Sequence, residues 1–144
     1  MTTDPTRITS GTASQASAVF TAAGMRTACE DLSEGLADDE LCLIAWLGEE
    51  VAGAAVGRPD SLAFDDAGRE YLYAVLEWLA VLPVHRGLHI GTRLLEAFCE
   101  LSCSRGARAV HLRMSPSRVT ELQGFYEARG FSDAGDGSWS RSCR

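Results

Sequence analysis

The run Tyr71–Val81, YLYAVLEWLAV, constrains the fold more than any other stretch, because Glu77 is its only charged member. Eleven aromatic and aliphatic positions with one interruption read as a strand covered on both faces, at the centre of a sheet. Pro83 stops it, since proline cannot donate to a ladder. Next comes Val84–Leu95, VHRGLHIGTRLL, which places two glycines, two histidines and two arginines in a chain of net charge −7. Ile90, Leu94, Phe98 and Leu101 then recur at helical spacing, Leu95 widens the stripe, and Gly106 suits a C-terminal stop. A central strand therefore feeds a glycine turn that opens a helix. Such a turn leaves the first helical N–H groups unpaired at the positive end of the dipole, where phosphate oxygens bind. Gly87 and Gly91 let backbone come close, Thr92 adds a hydroxyl, and Arg86 and Arg93 add charge. A plain strand-to-helix connection is the competing reading.

Around this unit the periodicity predicts a short strand at Arg7–Ser10, a helix over Ser14–Met25, and an acidic helix with a loop over Thr27–Asp39. LCLIAWLGEEVAGAAVGR predicts two strands joined at Gly48–Glu50, and Arg58–Gly68, with proline, glycine and three aspartates, predicts an exposed loop. After the helix, AVHLRM alternates as a strand, with Val110, Leu112 and Met114 on one face and His111 and Arg113 on the other. Ser115 and Pro116 predict the opening of a helix that runs through Val119, Leu122 and Phe125 to Arg129, capped by Gly130. Gly124 inside it suggests close approach by a neighbour. Phe131–Arg141, interrupted by DAGDG, predicts a final hairpin. The order is β-α-α-β-β-β-α-β-α-β-β in one α/β (α+β) domain spanning 1–144, helices flanking a single sheet.

No apolar run reaches the roughly 20 residues of a membrane span, and MTTDPTRITSGTAS has no signal-like apolar core, so a cytoplasmic protein without membrane contact is expected. A pI near 4.9 speaks against nucleic acid and suits a cationic partner. Cysteines 29, 42, 99, 103 and 143 form an odd set without a CxxC pair, so free thiols are expected. His85/His89 and Cys99/Cys103 are each four apart, but glycine-rich backbone around the histidines would not hold them on one rigid face, and no metal is expected.

Known phosphate loops fit the turn poorly. A Walker loop needs lysine where Gly91 stands, and a dinucleotide fingerprint needs three glycines at a first βα turn. LAVLPVHRGLHIGTRLL instead resembles the acetyl-CoA-binding segment of the GNAT superfamily of N-acyltransferases. Arg86, His89 and Gly91 occupy its Arg/Gln-x-x-Gly-x-Gly/Ala positions, with histidine where the family usually has glycine. FYEARGF, Phe125–Phe131, resembles the family's FYxxxGF signature in the right register behind the first.

The resemblance implies a mixed, mostly antiparallel sheet flanked by helices, and transfer of an acetyl group from acetyl-CoA to a primary amine by direct attack in a ternary complex. It implies that the coenzyme's diphosphate rests on the turn Arg86, Gly87, Leu88, His89, Ile90 and Gly91, assisted by Thr92. The pantetheine arm would pair with Leu79, Ala80 and Val81 as an added strand, and an N–H near Leu79 would polarise the thioester carbonyl. Tyr126 matches the family's general acid, against a reading as one more buried aromatic. Glu77 matches a frequent general base, against a reading as partner of an arginine. The family's asparagine early in the fourth helix corresponds to Val119, so that contact is missing or moved. Glu70, Asp60, Asp65 and Asp66 either steer a cationic acceptor or form a solvated loop. His111 and Arg113 either line the acceptor cleft or satisfy a sheet surface. A non-catalytic acyl-CoA-binding module is the rival to an enzyme. The acceptor is expected to be a small-molecule or peptide amine, and the last hairpin is compatible with a homodimer.

Overall fold

The computed structural model describes residues 6–87, 89–113, 119–133 and 138–143, with 113 and 119–121 as backbone. Its elements are β1 (Thr6–Ser10), α1 (Ala13–Ala22), α2 (Arg26–Asp31), β2 (Leu41–Leu47), β3 (Glu50–Phe64), β4 (Glu70–Val81), a 3-10 turn (Pro83–His85), α3 (Ile90–Ser104), β5 (Ala107–Arg113), α4 (Val119–Glu127), β6 (Ser132–Asp133) and β7 (Ser138–Ser142). This is the order expected from the periodicity. The strands form one seven-stranded sheet, β1-β2-β3-β4-β5-β7-β6, in which β4 and β5 are parallel and the other neighbours antiparallel. Ser115 and Pro116 lie outside the described residues, as do Leu88 and Met114.

The apolar stripe read in the sequence sets each layer. On one face of the sheet, Ile90, Leu94, Leu95 and Phe98 of α3 pack with Leu76, Val110, Leu112 and Trp139. On the other face, Ala16, Val19 and Phe20 of α1 pack with Ile44, Ala54, Val56 and Ala80. A capping box starts α1: Thr12 Oγ1 accepts from the Gln15 N–H, and the Thr12 N–H donates to Gln15 Oε1. Gly57 lets the Phe98 ring lie directly on β3, since a Cβ there would sit 2.7 Å from the ring.

Three expectations are corrected. Arg58–Phe64 is not loop but the second half of β3, and only Asp65–Gly68 turns. The register passes from Arg58↔Val75 to Ser61↔Tyr73, so Pro59 and Asp60 fall in a bulge where a missing N–H costs no ladder bond. Asp65 belongs to the turn itself, its Oδ1 accepting from the Ala67 and Arg69 N–H groups at 2.9 Å. Second, Cys103 and Cys143 are not free thiols but a disulfide, with Cα atoms 5.4 Å apart. Antiparallel pairing of β7 with β5 carries the chain back past the C-terminal end of α3, and the Cys143 N–H donates to Arg108 O. Cys29, Cys42 and Cys99 remain free, and burial raises the Cys42 and Cys99 thiols to about 11. Third, Gly124 is exposed and a Cβ there would meet nothing within 4 Å, so no described neighbour approaches it closely. Among the described residues, no helix is long and apolar enough to cross a membrane.

Candidate functional site

The site begins where β4 loses one of its neighbours. Its parallel pairing with β5 runs through Ala74↔Val110 and Val75↔His111 to Leu76↔Leu112, and ends there among the described residues. Pairing with β3 continues to Gly53↔Val81, with a register shift that leaves Glu77 as the extra residue of a bulge between Leu76 and Trp78. A bulge adds local twist, so the segment Glu77–Val81 is held on one edge and turned from β5 on the other. The Leu82 N–H donates to Ala52 O across β3 at 2.8 Å. Alternation along the strand therefore aims the peptide groups of Leu79 and Val81 at the open edge. Arg86 Nε donates to Val81 O at 3.3 Å on that side, as this direction requires.

The glycine turn closes one end of the wedge. Gly87 has φ +87° and His89 φ +61°, both left-handed, and α3 starts at the next residue. His89 is the lone non-glycine residue with positive φ among those described, a conformation costing about 1–2 kcal/mol. A left-handed position is one that glycine adopts without a Cβ penalty. His89 is the N-cap of α3 yet makes no side-chain capping bond, so no side chain of its own covers the helix's first N–H groups. A cavity of about 270 Å³ lies here, lined by Arg86, Gly87, His89, Gly91, Thr92 and Arg129 among others. A second, of about 400 Å³, shares Val81, Arg86, Gly91 and Phe125 with it and runs along Leu79 and Ala80 to Tyr126. Together they form a channel from the turn, along the open edge of β4, to the phenol.

The reading of Tyr126 as a buried aromatic holds, and the residue also stands beside the site. It is 8% exposed and packed edge-on between Phe125 and Phe131, at 5.0 and 5.6 Å between ring centroids, and it also lines the second cavity. The FYEARGF segment thus anchors α4 by its aromatics and sets Tyr126 in the wall of the second cavity.

Glu77 stands apart from the channel, lining neither cavity. Its carboxylate is ion-paired with Arg58, which also donates to Asp39 at 3.0 Å and lies 3.8 Å from Glu40. This is the arginine partner considered in the sequence, met across strands where no local pattern records it. Burial raises the Glu77 carboxyl to about 7 against the pull of Arg58, and the neighbouring acids Glu40 and Asp31 add to the rise. Glu77 Oε1 is buried without a partner among the described residues. Neighbouring Trp78 donates from Nε1 to Asp31 Oδ2 at 3.2 Å, fixing the tip of α2 to the bulge.

The remaining candidates separate. Glu70 pairs with Phe64 at the far end of β4, seven residues and about 23 Å from Glu77, and Asp65 and Asp66 lie in the turn beyond it. Asp60 is paired with Arg105 at 3.6 Å. None of these reaches the channel. His111 is half-buried against Tyr73, ring to ring at 5.9 Å, on the β5 strand just before the wedge opens. Arg129 was not singled out by any motif position, yet it lines the cavity at the turn. Its only signal in the sequence was a positive charge next to the Gly130 stop.

Comparison with known proteins gives the family and the fold. The model of the acetyltransferase (GNAT) family matches residues 9–131. A segment of 53 residues is 38% identical to an uncharacterized N-acetyltransferase of Schizosaccharomyces pombe, covering 37% of this chain and 35% of that protein, so the chain spans about a third of that relative. Among solved structures, a GNAT-family protein of Desulfovibrio desulfuricans superposes with a TM-score of 0.77 at 19% identity, over 97% of this chain and 100% of that one. An aminoglycoside N-acetyltransferase in complex with CoA gives 0.69 at 19% identity, over 90% and 89%. The aminoglycoside 6'-N-acetyltransferase of Enterococcus faecium gives 0.71 at 16%, over 96% and 97%. At these identities the likeness is one of fold.

Proposed function

Since the chain belongs to the acetyltransferase (GNAT) family, we propose that it transfers an acetyl group from acetyl-CoA to a primary amine by direct attack in a ternary complex. The observation that supports this reading is that, among the described residues, β4 pairs with β5 no further than Leu76, and the channel beside Leu79–Val81 joins the glycine turn to Tyr126. The residues present suit the coenzyme. The amides of the turn around Gly87–Gly91 and the hydroxyl of Thr92 would hold the diphosphate, and Leu79–Val81 would pair with the pantetheine amides as an added strand. The coenzyme supplies a thioester, activated toward an amine nucleophile.

The chain's own residues then have three tasks. The Leu79 N–H, aimed at the open edge, stabilises negative charge as it develops on the thioester oxygen. An amine arrives as a cation with a pKa of about 10 and must lose a proton before its lone pair can form the C–N bond. Glu77, raised to about 7, is poised to take that proton through water, since it does not line the channel itself. As the C–S bond breaks, the leaving thiolate takes a proton from the Tyr126 hydroxyl, and the phenolate is reprotonated by the second proton that the acylated nitrogen sheds to become the amide. One domain spanning 1–144 would carry the whole reaction, with a cationic small-molecule or peptide amine as acceptor.

Thiol release from acetyl-CoA, followed over a panel of polyamines, aminoglycosides, amino acids and peptide N-termini, tests the reading. Turnover on at least one class, lost in Tyr126→Phe with CoA binding retained, supports it. Binding of CoA without turnover on any amine would make the chain a non-catalytic acyl-CoA-binding module instead.

A further inference from the structure

We propose that Arg129 is a positioning residue for the diphosphate end of the acyl donor, acting through Thr92; this rests on the acetyl-CoA reading above. Arg129 lines the cavity at the turn. Its Nε donates to Thr92 Oγ1 at 2.9 Å, its Nη1 donates to Phe125 O at 2.7 Å, and its guanidinium lies 4.0 Å from the centroid of the Phe125 ring. Thr92 is in the first turn of α3, whereas Phe125 is in the last turns of α4. One side chain thus ties together the two helices that flank the turn, and all three residues line the same cavity.

The polarity of these bonds gives the tie its chemical consequence. A guanidinium only donates, so Thr92 must be the acceptor in its bond to Arg129. The hydroxyl carries a single hydrogen, which is then directed away from Arg129 and is left to donate elsewhere. An arginine behind a threonine therefore converts a group of either sense into a donor, in a cavity where Gly87, His89 and Gly91 bring backbone to the surface. Arg129 also adds fixed positive charge at the N-terminal end of α3, reinforcing the helix dipole for an anion. Phe125 holds the guanidinium plane from below, so the orientation is set by packing as well as by hydrogen bonds. A purely structural tie between α3 and α4 would need no such placement in the cavity wall. A second arginine, Arg141, already joins those segments, pairing in two-pronged fashion with Glu96 at 2.8 and 3.1 Å and donating to Arg129 O.

The test compares two probes by calorimetric titration: CoA, which has the diphosphate, and pantetheine, which lacks it. Arg129→Ala is expected to weaken CoA binding about tenfold or more, the usual worth of a charge-assisted contact, and to leave pantetheine binding unchanged. Thr92→Val, which keeps the Arg129 tie to Phe125, is expected to show the same selective loss, and Thr92→Ser to restore it. Arg129→Lys is expected to stay weak, because an ammonium cannot hold Thr92 and Phe125 together. Equal loss of both probes in Arg129→Ala, or full recovery in Arg129→Lys, would overturn the proposal. If Arg129→Ala does not fold, Thr92→Val alone decides, and unchanged CoA affinity in it overturns the proposal. A wild-type protein that binds CoA no better than pantetheine would instead overturn the diphosphate seat and with it the acetyl-CoA reading.

Discussion

The two ends of β4 share one strand and almost one composition, yet they do different work. From Leu72 to Leu76 the strand is paired on both edges and covered by Phe98 and its neighbours; beyond the bulge, from Leu79 to Val81, it is paired on one edge among the described residues and borders the channel. The boundary is a single extra residue, Glu77, in a bulge. A sheet interior that is fully paired stores stability, and the same sheet with one edge freed offers peptide groups to a ligand. Changes at the first end should therefore appear in folding, and changes at the second in binding and turnover.

The sharpest way to break this contrast is at the paired end. Phe98→Ala removes a fully buried ring from the face of Gly57 and should cost about 3–5 kcal/mol, read from urea unfolding. CoA affinity, measured in the folded fraction, should hold. At the open end, Tyr126→Phe keeps the aromatic packing and should lower turnover about 100-fold or more while shifting stability by less than about 1.5 kcal/mol. If stability fell and turnover held, Tyr126 would be core alone.

Glu77 sits on the boundary and should register in both measurements. Its carboxyl titrates near 7 in the folded chain, chiefly through burial, and at about 4.3 when unfolded. Between those values the folded state holds the extra proton, so stability should fall as pH rises from about 4.5 to 7 and level off above. The slope should vanish in Glu77→Gln, and with it the rise of turnover through neutral pH that a carboxylate base would produce. A pH-independent unfolding midpoint in wild type would place Glu77 in a different environment. The smallest effect is at the turn. His89→Gly relieves a left-handed histidine but adds chain entropy to the unfolded state, for a net gain of about 0.5 kcal/mol, seen as a rise in Tm of about 2 °C.

What the sequence made legible follows from what each signal depends on. Tyr71–Val81 and the α3 stripe are local patterns with a single solution, and both strand and helix stand where their periodicity puts them. The two glycine-containing motifs were readable because backbone conformation, at Gly87 above all, leaves a mark on residue type. Arg58–Phe64 was misjudged because proline and aspartate normally end a strand, whereas here a bulge absorbs them. The pairing of Arg58 with Glu77 is a contact across strands. The Cys103–Cys143 bond and the Arg129–Thr92 tie are also tertiary, joining residues 40 and 37 apart, and no local pattern records such meetings.

The bond between Cys103 and Cys143 has a topological consequence. Everything from the end of α3 to the last strand, including the helix with Tyr126, becomes a covalent ring hung on one helix. A protease cut anywhere inside that ring would release no fragment until a reductant was added, and the phenol-bearing helix could swing outward on its leash without ever being lost.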